Sequence, residues 1–124
     1  MIIRKTLDDE TAAKAMRSGD FPADVTTAAE SVILILTQSW CPQWTFMKMS
    51  LKGLRSGPDG GGLAVITYEY DRSPIFEEFL RFKETTFGNY EVPYYRLYRN
   101  GRFVGDGNAT AAGRLIQQLS KAPE

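Results

Sequence analysis

Residues 31–37 read SVILILT, an unbroken apolar run of strand length. A strand wetted on one face alternates apolar and polar residues; a continuous run has to be covered on both faces. At seven residues the run is far too short to cross a bilayer. One segment buried on both sides already demands a layered molecule, with the strand inside a sheet and other elements packed above and below it.

The flanking segments supply those layers. Residues 1–6 read as a short strand. Residues 7–18, LDDETAAKAMRS, read as a helix with acids in its first turn and basic residues later, and Gly19 ends it. Residues 20–30 fit a short helix or a loop. Pro42 suits the first position of a helix over 42–55, with Trp44, Met47, Leu51 and Leu54 at helical spacing. SGPDGGG, 56–62, is a turn or loop, and 63–71 is strand-like. A helix starts at Ser73-Pro74 and shows an apolar face up to Phe87. Asn100-Gly101 joins strands 93–99 and 102–105 as a two-residue hairpin. A last helix over 109–121 faces inward through Leu115, Ile116 and Leu119. Alternation followed by a hairpin predicts an α/β fold: a mixed sheet, helices on both faces, a terminal hairpin and a C-terminal helix. No repeat or linker divides residues 1–124, so one domain is expected.

Composition removes several chemistries. Fifteen basic and fifteen acidic residues cancel without a basic stripe, which argues against nucleic acid as partner. The chain has no histidine and one cysteine. That excludes an internal disulfide, a structural zinc site and the Ser-His or Cys-His pairs of hydrolases; no metal site is expected. The N-terminus shows no basic segment leading into an apolar one, so the expected location is the cytoplasm, away from membranes. Asn108-Ala109-Thr110 matches a glycosylation sequon that has no role there. The GPDGGG loop lacks the Gly-Lys-Ser/Thr ending of a phosphate loop, and Glu77 and Glu78 are adjacent on a helix and so point apart.

The single cysteine lies in SWCPQW, residues 39–44, at the mouth of the first long helix. Free N–H groups and the helix dipole there favour a thiolate, which makes Cys41 a candidate nucleophile; an inert packed cysteine is the alternative. Trp44, one helical turn on, either walls a binding groove or begins the packed stripe, partly shielding Cys41. Trp40, Tyr90, Tyr94 and Tyr95 are candidate groove aromatics. Tyr94 and Tyr95 must face opposite sides of their strand, so at most one can line a groove.

This order of elements, with Trp-Cys-Pro before the first long helix, resembles the thioredoxin superfamily. DRSP at 71–74 resembles the D-x-x-P before the family's third helix, and FGNYEVP at 87–93 resembles the stretch ending in its cis-proline. PYYRLYRNG at 93–101 keeps the thioredoxin spacing from that proline to the hairpin. The resemblance spans residues 1–119. It implies a thioredoxin-like fold, with Cys41 as the attacking thiol and Pro93 as the cis-proline. It also implies that the Val92 backbone receives an extended substrate like an added strand. Trp44 stands where the resolving cysteine would be. Ile35 and Thr67 replace the family's buried aspartate and its lysine partner, and their joint loss leaves no unpaired buried charge. The Pro42-Gln43 pair resembles the C-P-x-C turn of glutaredoxins, and Gly105-Asp106-Gly107 loosely resembles their glutathione contact, although a turn accounts for it equally well.

The resemblance therefore implies a monothiol thiol-disulfide oxidoreductase in cell redox homeostasis. Cys41 would be catalytic, with Trp40, Pro42, Gln43, Trp44, Val92 and Pro93 lining the substrate site. Its partners would be protein or peptide disulfides and thiols. No cofactor is implied beyond glutathione or another small thiol as co-substrate. The alternative is a thioredoxin-fold module that binds peptides without dithiol chemistry. A third reading is a sensor whose Cys41 is oxidised or capped by glutathione.

Overall fold

The computed structural model describes residues 1–122. Five strands form one sheet: β1 (Ile2–Thr6), β2 (Ser31–Thr37), β3 (Leu63–Glu69), β4 (Tyr94–Arg99) and β5 (Arg102–Gly107). Their spatial order is β1-β3-β2-β4-β5. β3 runs parallel to both β1 and β2, while β4 is antiparallel to β2 and to β5. The apolar run of β2 is thus central, and all seven of its residues are buried.

Helices cover both faces. α1 (Asp9–Ser18), the single turn α2 (Ala23–Thr26) and α4 (Phe76–Thr86) pack on one; α3 (Pro42–Leu51) and α5 (Ala112–Ser120) pack on the other. Alternation along β2 splits its side chains between two cores. Val32, Leu34 and Leu36 meet Ala12, Phe79 and Tyr94; Ile33 and Ile35 meet Trp44, Met47 and Leu115. No helix among the described residues is long and apolar enough to cross a membrane.

Element limits move for local reasons. α1 begins at Asp9 because the Asp8 side chain accepts the Thr11 N–H at 2.7 Å. It ends on Gly19 in the left-handed region, φ 87°. α3 stops at Leu51 rather than 55, before Gly53, and Arg4 of β1 donates to the Leu54 carbonyl at 2.8 Å. α4 begins at Phe76 rather than at Ser73-Pro74. The Ser73 hydroxyl accepts the Ile75 N–H at 3.2 Å and donates to Asp9, making a turn before the helix. α5 begins at Ala112, whose N–H donates to the Ser50 hydroxyl of α3 at 2.8 Å. The hairpin turns on Asn100 and Gly101, both at positive φ.

Candidate functional site

The chain leaves β2 at Thr37 and crosses to α3 through Gln38-Ser39-Trp40-Cys41. Asp71 fixes that crossing. Its carboxylate accepts the Ser39 N–H at 2.8 Å and the Ser39 hydroxyl at 2.6 Å. Asp71 sits in the short turn Tyr70–Arg72 after β3, so the DRSP segment is tied directly to the cysteine loop. Cys41 is the N-cap of α3, with extended backbone, and Pro42 follows at the first helical position. Among the described residues no side chain caps this end, so the first-turn N–H groups are open towards the cysteine.

Cys41 itself is 4% exposed. Its thiol donates to the Val92 carbonyl oxygen at 3.6 Å. The Val92–Pro93 peptide bond is cis, Val92 is half-buried and Pro93 is buried. Residues 41 and 92, far apart in sequence, are therefore in contact. Pro42 and Gln43 are exposed, and Trp40 and Tyr90, which precede Cys41 and Val92 in their loops, are 66% and 73% exposed.

Trp44 has a different place from the groove wall expected as one option. It is 2% exposed and lies in the α3/α5 core with Met47 and Leu51, at the floor of a cleft edged by Lys48 and Lys52. The packing reading is the one the geometry supports. Its indole N–H donates to Glu69 Oε2 at 2.7 Å. Lys48 and Arg72 each approach the same carboxylate at 3.4 Å, and the Lys48 ammonium lies 5.3 Å from the Trp44 ring. A buried indole needs a partner for its N–H, and Glu69 is that partner. Ile35 and Thr67 pair directly across β2 and β3. Glu69 follows Thr67 by two residues on β3 and faces the same side. The carboxylate on this face is thus already held by one N–H and two cations.

Tyr94 and Tyr95 point to opposite faces, and the Tyr95 hydroxyl reaches the edge of a cleft beside α5, where it donates to Gln118 at 2.7 Å. Both are buried, one in each core. Gly105-Asp106-Gly107 belongs to β5 rather than to a turn before the last helix. Gly107 is required there because a Cβ would stand 2.6 Å from the Tyr95 hydroxyl. Sequence reasoning missed three residues beside the site, Glu69, Lys83 and Asn108, whose partners lie on other elements. Asp71 was visible as a motif, but not as the anchor of Ser39.

No sequence-family model matches the chain, and no curated protein sequence matches it. Solved structures do. A mutant thioredoxin from Halobacterium salinarum NRC-1 superposes with a TM-score of 0.63 at 16% identity, covering 99% of this chain and 91% of that one. The chain has a thioredoxin fold. Oxidised thioredoxin O1 from Arabidopsis thaliana gives a TM-score of 0.58 at 12% identity, covering 99% and 98% of the two chains. Reduced glutaredoxin C1 from Populus tremula x tremuloides gives 0.53 at 13% identity, covering 92% and 94%. Within this thioredoxin-fold chain the comparison is one of architecture, and it extends over nearly the full length of each neighbour.

Proposed function

We propose that the protein is a thioredoxin-like redox protein, a monothiol thiol-disulfide oxidoreductase acting through Cys41. The observation that carries the reading is the contact of Cys41 with Val92. The only thiol in the chain stands at the start of α3, against the carbonyl that precedes Pro93. In the reaction, Cys41 thiolate attacks one sulfur of a disulfide or a glutathionylated protein. A new disulfide to Cys41 forms, the old one breaks, and the leaving thiolate takes up a proton. First-turn N–H groups of α3 stabilise negative charge at Sγ before the attack. The Val92 backbone aligns an extended substrate, with Trp40, Pro42 and Gln43 on the exposed side.

Trp44 supplies no sulfur and Glu69 is committed, so the mixed disulfide has to be resolved from outside. A second thiol, of the glutathione class, attacks it, forms a disulfide with the departing group and returns Cys41 reduced. Such a thiol is supplied in a reducing compartment, in keeping with the cytoplasm. Low exposure of Cys41 favours one other reading, a peptide-binding module that uses the exposed Trp40 and Tyr90 and no thiol chemistry.

The deciding experiment is reduction of a glutathionylated peptide with glutathione as the second thiol, comparing the native chain with Cys41→Ser. Turnover by the native chain and none by Cys41→Ser is the expected result. Equal turnover by both ends the proposal. Absence of turnover from either, with peptide binding that Trp40→Ala removes, selects the binding module.

A further inference from the structure

Lysine is almost never fully buried unless its charge is partnered. Lys83, late in α4, is fully buried. Among the described residues no carboxylate lies within ion-pair distance of it. Its ammonium donates instead to the carbonyl oxygens of Glu91 at 2.7 Å and Asn89 at 3.0 Å, with Asn89 Oδ1 at 3.4 Å. Every polar contact of the ammonium thus goes to the loop 88–92, which ends at Val92. Asn108, just past β5, holds the same loop from another element. It donates to Asn89 Oδ1 at 3.0 Å and to the Pro93 carbonyl at 3.1 Å, and accepts the Asn89 amide at 3.0 Å.

A methionine would fill the Lys83 site without desolvating a charge. What the ammonium adds is a set of donors for the Asn89 and Glu91 carbonyls, tying the loop to α4. We infer that Lys83 is a positioning residue of the Cys41 site: with Asn108 it clamps residues 89–91 and so sets the Val92 carbonyl against the sulfur. The clamp stands on the geometry alone; its bearing on exchange chemistry rests on the reading of Cys41 as the reacting thiol.

The clamp has a signature in pH. Burial holds the Lys83 amine well below its ordinary value of 10.5, at about 8, against the opposing influence of Glu84 on its own helix and Glu91 on the loop. From β4 the Tyr94 ring faces it at 5.6 Å. Burial raises the Tyr94 phenol, so it stays neutral; its hydroxyl is shared with Asp106 of β5 and Arg96. When the loop opens, the amine meets water and recovers its ordinary affinity for protons. Between about pH 8 and 10.5 the open form therefore binds more protons than the closed form, and rising pH disfavours opening. The limit is about tenfold per pH unit. Below that window the amine is charged in both forms and contributes no pH dependence.

Amide hydrogen exchange of Glu91, whose N–H donates to Asn89 Oδ1 at 3.1 Å inside the clamp, reads this directly. The chain carries Cys41→Ala, so that no thiol titrates beside Val92, and rates are corrected for intrinsic exchange from pH 7 to 9.5. Loop protection is expected to stay level to about pH 8 and then to rise several-fold per unit. Adding Lys83→Met is expected to abolish the rise and to speed loop exchange at pH 7, leaving β2 amides unchanged. Level protection throughout, or loop and β2 loosening together in Lys83→Met, would overturn the inference. Should Lys83→Met not fold, Asn108→Ala takes its place, and loop exchange left at the parent's rate would overturn the clamp. With Cys41 restored, alkylation by iodoacetamide at pH 7 is expected to change several-fold in Lys83→Met. An unchanged rate beside a loosened loop would overturn the positioning role. None of these readouts requires catalytic turnover, so failure of the oxidoreductase reading and failure of the clamp are told apart.

Discussion

Trp44 occupies the position one helical turn after Cys41, and its indole is held at both ends, by core packing and by Glu69. Truncation should therefore be costly. Trp44→Ala is expected to lose about 3–5 kcal/mol of unfolding free energy in urea, the range for emptying a buried tryptophan site. Trp44→Phe keeps one aromatic ring in the core and loses the N–H with the rest of the indole, while Lys48 and Arg72 still hold Glu69. Its loss should be about 1–2 kcal/mol. Near-equal values for the two variants would show that the hydrogen bond, not the packing, carries the site. The stripe through Met47 and Leu51 made the burial of Trp44 readable from spacing. Glu69 was not readable, because a partner 25 residues away on another element leaves no local pattern. Lys83 was hidden for a related reason. A lysine on an amphipathic helix reads as a solvated side chain until the fold lays a loop of carbonyls over it.

Strands and helices were legible where one physical signal dominated: the apolar run of β2, the Asn-Gly hairpin, the glycine that ends α1. Helix starts were less so. Those of α4 and α5 are set by hydroxyls acting across elements, Ser73 with Asp9 and Ser50 with Ala112. β4 was legible as a strand beside Asn100-Gly101, but its full burial was not. YYRLYR carries two arginines, yet all six residues are buried. Arg96 is held by the Tyr94 and Tyr98 hydroxyls and Arg99 by the Leu119 carbonyl. The start of α1 gives an element-scale test. The Thr11 hydrogen bonds hold the Asp8 carboxyl below its ordinary value of 3.8. Its folded affinity for protons is the lower one, so the cap's contribution is full above 3.8 and is lost as pH falls below it through the lowered folded value. Asp8→Ala should melt below the native chain at pH 7, and the gap should narrow on acidification below 3.8. A gap independent of pH would remove the carboxylate from the explanation.

Across the molecule, two cores share one sheet. β2 and β4 send side chains into both, so neither core can be lost while the other stays intact. Tryptophan fluorescence, which reports α3 through Trp44, should therefore unfold in step with far-ultraviolet circular dichroism, in a single transition. Separated midpoints would show that the α3/α5 layer comes away by itself. The single cysteine at the rim of this sheet has a further consequence. A chain with two paired cysteines can oxidise within itself and change its mass only by the hydrogens lost. Here every disulfide must include an atom from another molecule. Any disulfide-bonded form of this protein therefore carries its partner with it, and intact mass spectrometry of the unreduced protein would weigh that partner directly.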